Sequence, residues 1–393
     1  MTQSFRSWRV VLCAFTLMFV GFGAAYSFAA FFRAFQSEFG ASRAHISLVF
    51  SLCAFLYFLL GAPGGMLADR YGVRRVALAG VAFLVAGLAA ASFATSVAVL
   101  YATYSIGLGI GIWLTYVPSV AAVQHWFTQK RAFASGIAVA GIGAGNLVVP
   151  PLAGWWIEAL GWRGAYLALA GFTLLLGSAA AAAIRDRPAP RGEVHEGATL
   201  GAALASGKFR VLFVTLLCAG FGCFVPLVHL GPYAVDQGHP ESFGVLLVSL
   251  IGLGGLGGRF VIGGLADRIG RMRTLALMYA GMALALAGWW ASTGSVALAT
   301  VAVAFGAAYG GFVATLPSVM MDLFGPRALS GIIGWMYIAP GIGTLAGPPL
   351  AGAAFDAYGS YDLPILGAAA LSLIAAAGVL ALMRGEPRRA ASR

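Results

Sequence analysis

Charge is what this chain has least of: 9% of its residues are Asp, Glu, Lys or Arg, where a soluble domain carries about 25%. With 60% hydrophobic residues and a mean hydropathy of +0.89, a water-soluble fold is excluded. Only a bilayer solvates so much apolar surface. Cysteine is sparse as well. Cys13, Cys53, Cys218 and Cys223 all sit within apolar runs and show no metal-ligand spacing, so they read as packing residues, and neither a disulfide framework nor a metal centre is expected. No Asp or Glu falls well inside an apolar run, and no nucleophile–base pair stands out. The glycine-rich stretches are themselves membrane-length, where a phosphate-cradling loop fails. These absences exclude an enzyme. No cofactor is expected, and without an ATP site the energy must come from gradients.

What is present is a series of long apolar runs separated by short polar turns. They predict twelve helices, at about 8–32, 45–68, 75–96, 98–124, 131–156, 163–184, 209–235, 242–266, 273–292, 295–321, 327–355 and 361–383. The first run continues to Phe32 without a small-residue exit, so it reads as a span and not a removable leader. The one long polar break, Arg185 to Lys208, has the Pro, Gly and charge content of a linker. The domains expected are therefore an N-terminal bundle over 1–184, a cytoplasmic linker over 185–208, and a C-terminal bundle with a short tail over 209–393. A net charge of +11 invites a nucleic-acid partner, but its distribution rejects one. With both termini cytoplasmic, every Lys and Arg except Arg33, Arg43, Arg163 and Arg259 falls on the cytoplasmic side, which is the positive-inside pattern. A monomer in a bacterial inner (plasma) membrane is expected.

The two halves repeat. GGMLADRYGVRR (64–75) returns as GGLADRIGRMR (263–273), PPLAG (150–154) returns at 348–352, and PSV (118–120) returns at 317–319, all at offsets of 198 or 199 positions. RAFASG (131–136) is echoed by RALSG (327–331). Such a repeat predicts two pseudo-symmetric six-helix bundles related by an axis along the membrane normal, with a cavity between them near the midplane. The G-x-L-A-D-R-x-G-x-R-R turn, present in both halves, resembles the signature of the major facilitator superfamily. HWFTQKRAFASGIAVAGIGAG (125–145), GWRGAY (161–166), FVPLVHLGPYA (224–234), MDLFGPR (321–327) and GPPLAG (347–352) run in the order seen in its monocarboxylate transporter family. Oxalate/formate antiporters and bacterial lactate carriers share much of this pattern. The resemblance covers essentially the whole chain and implies alternating access.

Arg259 is the one cation set deep in an apolar run. A charge there costs roughly 2.5–3.5 kcal/mol on insertion scales, so it rarely sits idle. It lies about 12 Å of helix from Asp267, too deep for easy snorkelling, and no buried acid is available to pair with it. Its planar guanidinium suits a carboxylate brought from outside; the resemblance agrees, since that family carries its substrate-binding arginine in helix 8. His229 is the only histidine deep in a span. It could bind the anion, carry a proton, or simply pack. Tyr26, Tyr116, Asn146, Tyr309 and Tyr337 are polar-tipped candidates for the cavity wall, each also readable as scaffold. Gly65, Asp69, Arg70, Gly72 and Arg74 form one cytoplasmic turn, and Asp267, Arg268 and Gly270 its counterpart. Pseudo-symmetry places Asp69 near the start of helix 11 (Arg327) and Asp267 near the start of helix 5 (Lys130, Arg131), as a latch of carboxylates on helix N-termini. The plainer reading is that these charges only set topology.

The family pattern is not complete. Proton-coupled animal members carry an acid where this chain has Gly255 and a lysine where it has Tyr26, and oxalate carriers have a helix-11 lysine that the 327–355 run lacks. Carboxylate recognition survives through Arg259; the usual acid–lysine proton relay does not. The cargo expected is a small monocarboxylate resembling lactate or pyruvate, with protons as a candidate co-substrate in symport. A larger aromatic or amphiphilic anion, taken up or exported, and an oxalate/formate-type exchange are the alternatives. A membrane sensor built on a carrier fold is disfavoured because the long polar segments are so few.

Overall fold

The computed structural model describes residues 2–60, 67–68, 70–127, 131–185 and 197–384. Side chains at 2–6, 124–125, 131–133, 263–265, 267 and 330 lie outside that description. Every element is helical or turn: α1 (Thr2–Tyr26), α2 (Phe28–Phe39), α3 (Arg43–Leu59), α4 (Val73–Ala91), α5 (Val97–Leu100), a π turn (Tyr101–Ser105), α6 (Ile106–Trp126), α7 (Arg131–Ala183), α8 (Leu200–Ala205), α9 (Gly207–Cys223), α10 (Val225–Asp236), α11 (Glu241–Ile269), α12 (Arg271–Trp290), α13 (Ser295–Phe324), α14 (Leu329–Tyr358) and α15 (Asp362–Arg384). Among the described residues, nine stretches are long and apolar enough to cross a membrane. One of these, Ala134–Ala183, contains a non-helical break at Gly161, and α3 is a shorter apolar helix.

Backbone geometry repeats with the sequence. Among the described residues, six of the eight glycines at positive φ form pairs 198 positions apart: Gly40 and Gly238 (58° and 90°), Gly72 and Gly270 (86° and 95°), Gly161 and Gly359 (69° and 67°). Each ends one helix or opens the next, in a conformation that residues with a Cβ resist. The helix break between α1 and α2 at Ser27 has its counterpart 197 positions later at Phe224, between α9 and α10. There Pro226 removes a backbone donor from the first turn of the new helix.

The helices sort into two bundles. In the first, α1 packs on α6 and α7, α4 on α6 and α7, and α3 on α6; in the second, α11 packs on α13 and α10, α12 on α13 and α15, and α9 on α14 and α15. The bundles meet along α3–α14, α7–α11 and α2–α10. Without a hydrophobic drive between helices in lipid, close backbone approach is what holds such bundles. The α11–α13 seam shows this: a methyl at Gly254, Gly258, Gly306 or Gly310 would run into the carbonyl of Val303, Ala307, Ile251 or Gly255 respectively. Gly306→Val should therefore force these helices apart and cost about 1–3 kcal/mol, read as a drop of several degrees in thermal unfolding in detergent. Gly171→Ala, where a methyl meets nothing within 4 Å, should leave the midpoint unchanged or raise it. Equal midpoints for the two variants would contradict this packing.

Candidate functional site

Arg259 sits on α11 where the two bundles touch. It is 7% exposed, and its buried Nε has no hydrogen-bond partner. Its Nη1 occupies space left by two glycines, one on each bundle: a Cβ at Gly143 or Gly255 would stand 3.1 Å from it. Its charge faces the Tyr309 ring, with Cζ 6.0 Å from the centroid, at the outer limit of a cation–π contact. Among the described residues it has no ion pair.

The helix breaks supply the walls around this guanidinium. Tyr26 closes α1 just before Ser27, and its hydroxyl lies 3.3 Å from that of Tyr309, a hydrogen bond between the two bundles. Phe224, at the matching break, packs at 6.5 Å from the Tyr26 ring and 6.0 Å from the Tyr309 ring. Phe50 closes the group at 6.1 Å from Tyr26 and 5.8 Å from Phe224. Tyr116 reaches the same cluster through Phe22, which it meets edge-on at 5.5 Å. Tyr337 stands on the α3–α14 seam, 5.9 Å from Phe58. Asn146 is 4% exposed, its Oδ1 is buried without a partner, and its backbone is in contact with Gly252 one helical stretch from Arg259.

His229 is placed elsewhere. It is fully buried in a polar network that bridges the bundles at the end carrying Arg33, Arg43 and Arg163. Arg43 holds Asp236 with two contacts, Nη1 to Oδ2 at 2.7 Å and Nη2 to Oδ1 at 2.9 Å, and Arg33 adds a third at 2.9 Å. The Arg43 guanidinium also covers the Phe355 ring at 3.7 Å and donates to Tyr361 Oη at 2.7 Å. Having accepted from Arg43, the Tyr361 hydroxyl donates to His229 Nδ1 at 3.0 Å. His229 Nε2 then carries the proton and shares it between Pro348 O at 2.8 Å and Ser47 Oγ at 3.1 Å. The serine hydroxyl itself donates to Arg43 O at 2.6 Å. Asp356 completes the set by accepting from the backbone N–H groups of Arg43 and Ala44, a carboxylate on a helix N-terminus. Arg163 pairs separately with Glu38 at 2.8 Å.

This closure has an extent. At the Arg43 end Gly352 lies against the backbone of Arg43 and Ala44, and further along Gly341 meets Phe58, Gly252 meets Asn146 and Leu147, and Gly143 meets Leu256. Nearer the other end, a Cβ at Gly136 would meet nothing within 4 Å, and one at Gly331 only Leu200. A crevice of about 570 Å³ opens at the Arg43 end between α2, α7, α10 and α11, but Arg259 is not among its walls.

Of the residues expected to latch the opposite end, Gly65, Asp69 and Lys130 lie outside the described residues, as do the side chains of Arg131 and Asp267. Gly72 and Gly270 form the two left-handed turns, Arg74, Arg268 and Arg327 are exposed, and Arg70 covers the Tyr71 ring at 5.3 Å. Sequence reasoning missed Arg43, Asp236, Tyr361 and Asp356. All four stand at helix ends, where charges and tyrosines are ordinary, so nothing local distinguished them.

A buried cation between two bundles, closed off on one side, is the arrangement of a membrane carrier. The chain belongs to the Major Facilitator Superfamily, whose profile matches residues 12–339. It is broadly related to the monocarboxylate-type carriers of that superfamily. Monocarboxylate transporter 13 of Rattus norvegicus is 31% identical over 380 residues, covering 95% of this chain and 88% of the relative. Monocarboxylate transporter 3 of Rattus norvegicus is 30% identical over 373 residues, covering 91% and 75%. In fold, the chain matches a solved bacterial homologue of the human lysosomal transporter Spinster, in an inward-facing and unoccupied conformation, with a TM-score of 0.73 at 16% identity, over 96% of this chain and 97% of that one. This is a multi-pass membrane protein of a transporter family, a secondary transporter that moves a small solute by alternating access.

Proposed function

We propose that the chain carries small monocarboxylates of lactate or pyruvate size, and that Arg259 binds their carboxylate. The observation that carries this reading is the guanidinium itself, buried at the meeting of the bundles with no counter-charge among the described residues. A carboxylate would satisfy its planar donors in pairs, and the relatives named above are monocarboxylate transporters. In this reading the chain crosses a bacterial inner membrane twelve times, as a monomer of two six-helix bundles over 1–184 and 209–393 joined by the 185–208 linker, with both termini cytoplasmic. The Arg43 end faces outward, so the network there is the outer gate in its closed state. Asp69 and Asp267 latch the inner end when the outer gate opens. Tyr26, Tyr309, Tyr116, Tyr337 and Asn146 complete the substrate's surroundings. His229, with both ring nitrogens engaged in the gate, meets the substrate only after the gate has opened.

A second reading, a larger aromatic acid, is favoured by the rings of Tyr26, Phe50, Phe224 and Tyr309 beside the guanidinium. Uptake of labelled acids into proteoliposomes separates the two. One fixed positive charge suits a monoanion, so lactate and pyruvate should enter and dicarboxylates should neither enter nor compete. Phenylacetate entering faster than either favours the second reading, and transport of a neutral solute instead contradicts both. Tyr26→Phe keeps the ring and removes the hydroxyl pair with Tyr309. A hydrogen bond contributes about 0.5–1.5 kcal/mol, so KM should move by up to about tenfold while the protein folds normally.

A further inference from the structure

We infer that the network at the Arg43 end is a pH-sensitive gate, shut while His229 is neutral and opened by a proton on its imidazole. This rests on the reading of that end as the outer gate and adds what regulates it. Arg259 plays no part.

The hydrogen bonds admit one arrangement of protons. A guanidinium donates and never accepts, so the Tyr361 hydroxyl, 2.7 Å from Arg43 Nη1, accepts there. Its own proton is left for His229 Nδ1 at 3.0 Å, which therefore carries none. The Pro348 carbonyl can only accept, so Nε2, 2.8 Å away, donates to it. Ser47 Oγ spends its proton on the Arg43 carbonyl and offers Nε2 a second acceptor at 3.1 Å. His229 is thus held as the neutral tautomer protonated on Nε2. A further proton, on Nδ1, would turn the tyrosine hydroxyl away.

The charges around the ring act in the same direction. Arg33 on α2 and Arg43 on α3 share Asp236 on α10, and Asp356 on α14 takes the backbone N–H groups of Arg43 and Ala44. Two cations and two carboxylates already balance. The rings of Phe32 and Tyr361, at 5.7 and 5.2 Å from the imidazole, are neutral, and Asp362 beyond Tyr361 is exposed. An imidazolium would be a third positive charge in a fully buried position, where a charge is costly.

These partners come from both bundles. Arg43 and Ser47 belong to the first; His229, Pro348 and Tyr361 belong to the second. Opening this end separates Ser47 from His229 and Arg43 from Tyr361, and gives the ring to the outer vestibule. An imidazole in water titrates near 6.5. The open form then binds a proton that the closed form excludes, so the closed form is fully favoured above about pH 6.5 and loses ground below it. For one proton, the ratio of open to closed molecules rises about tenfold from pH 7.5 to 5.5.

The test uses spin labels at positions 45 and 358 in a chain without native cysteines and with His125, His195 and His239 replaced by Gln. His229 is then the only histidine left. In nanodiscs, acid should add a longer distance to the wild-type network. With Asp236→Asn added, the ratio of long to short distances should rise about tenfold over the same pH range. His229→Gln, whose amide can keep both bonds without titrating, should hold that ratio constant. A ratio that ignores pH in Asp236→Asn, or that responds as strongly in His229→Gln, overturns the inference and leaves the gate standing. A longer distance that appears in no variant at any pH removes the gate reading, and this inference with it. Should His229→Gln fail to fold, the ¹⁵N resonances of the single histidine decide: a neutral ring protonated on Nε2 is expected in closed molecules, and an imidazolium in them at pH 5.5 overturns the inference.

Discussion

Arg259→Ala is expected to lower carboxylate transport at least a hundredfold while leaving the amount of folded protein in the membrane unchanged. The two halves of that expectation have separate causes. Transport falls because the substrate loses a charge-assisted, bidentate partner in a buried site, an interaction about twice as strong as a neutral hydrogen bond. The fold survives because the guanidinium makes no ion pair among the described residues and its Nε is unsatisfied, so its removal relieves a desolvation cost. Arg259→Lys should recover little. A lysine keeps the charge but presents a compact ammonium in place of the planar donors, and the recess between Gly143 and Gly255 is occupied by Nη1, which lysine lacks. Uptake by both variants, beside their thermal midpoints in detergent, checks the prediction. Lysine matching wild type would mean that charge alone suffices and that the geometry argued here does not matter.

The second large effect is expected at the Arg43 network. Asp236→Asn keeps the size and some hydrogen bonding of the side chain but leaves Arg43, 7% exposed, without its counter-charge. Breaking one partner of a buried pair costs about 3–5 kcal/mol. Asp236 keeps a side-chain exposure of 21%, so solvent screening takes the cost below that range, to about 2–3 kcal/mol. Because Asp236 is on α10 and Arg43 on α3, that cost falls on the state in which the bundles are joined at this end. The ratio of closed to open molecules should therefore fall by about 30- to 150-fold. Spin labels at His45 and Tyr358, exposed residues on α3 and α14 at this end, report it in a background freed of native cysteines. A new, longer distance should appear in Asp236→Asn. An unchanged distribution would show that Asp356 on the α3 N-terminus and the His229–Tyr361 pair hold the end closed without it.

How much of this was legible beforehand varies with the range of the interaction. The helices and their repeat were visible because apolar length and turn glycines are local properties; the pairs of positive-φ glycines are the backbone form of the 198-residue offset. The break at Phe224 could be anticipated from Pro226, whereas Ser27 has no comparable breaker beside it. Arg259 stood out because a cation in an apolar run is conspicuous whatever surrounds it. Arg43 did not, since an arginine at a helix end needs no partner to explain it, and its partners Asp236 and Tyr361 lie 193 and 318 positions away. His229 was noticed as a lone buried histidine, but only tertiary structure supplies its neighbours. Phe50, Phe58 and Phe224 have no sequence mark separating them from the many other packing aromatics; the helix breaks decide which rings come near the cation.

The central claim is that a transported acid rests on the Arg259 guanidinium, and a structure of the carrier with that acid bound tests it most directly. A carboxylate oxygen within about 2.7–2.9 Å of the guanidinium nitrogens, with the rest of the molecule against Tyr26, Tyr309 and Phe224, is the result the account predicts. An acid bound away from Arg259, with that side chain turned toward Tyr309 as it is in this structure, would contradict it.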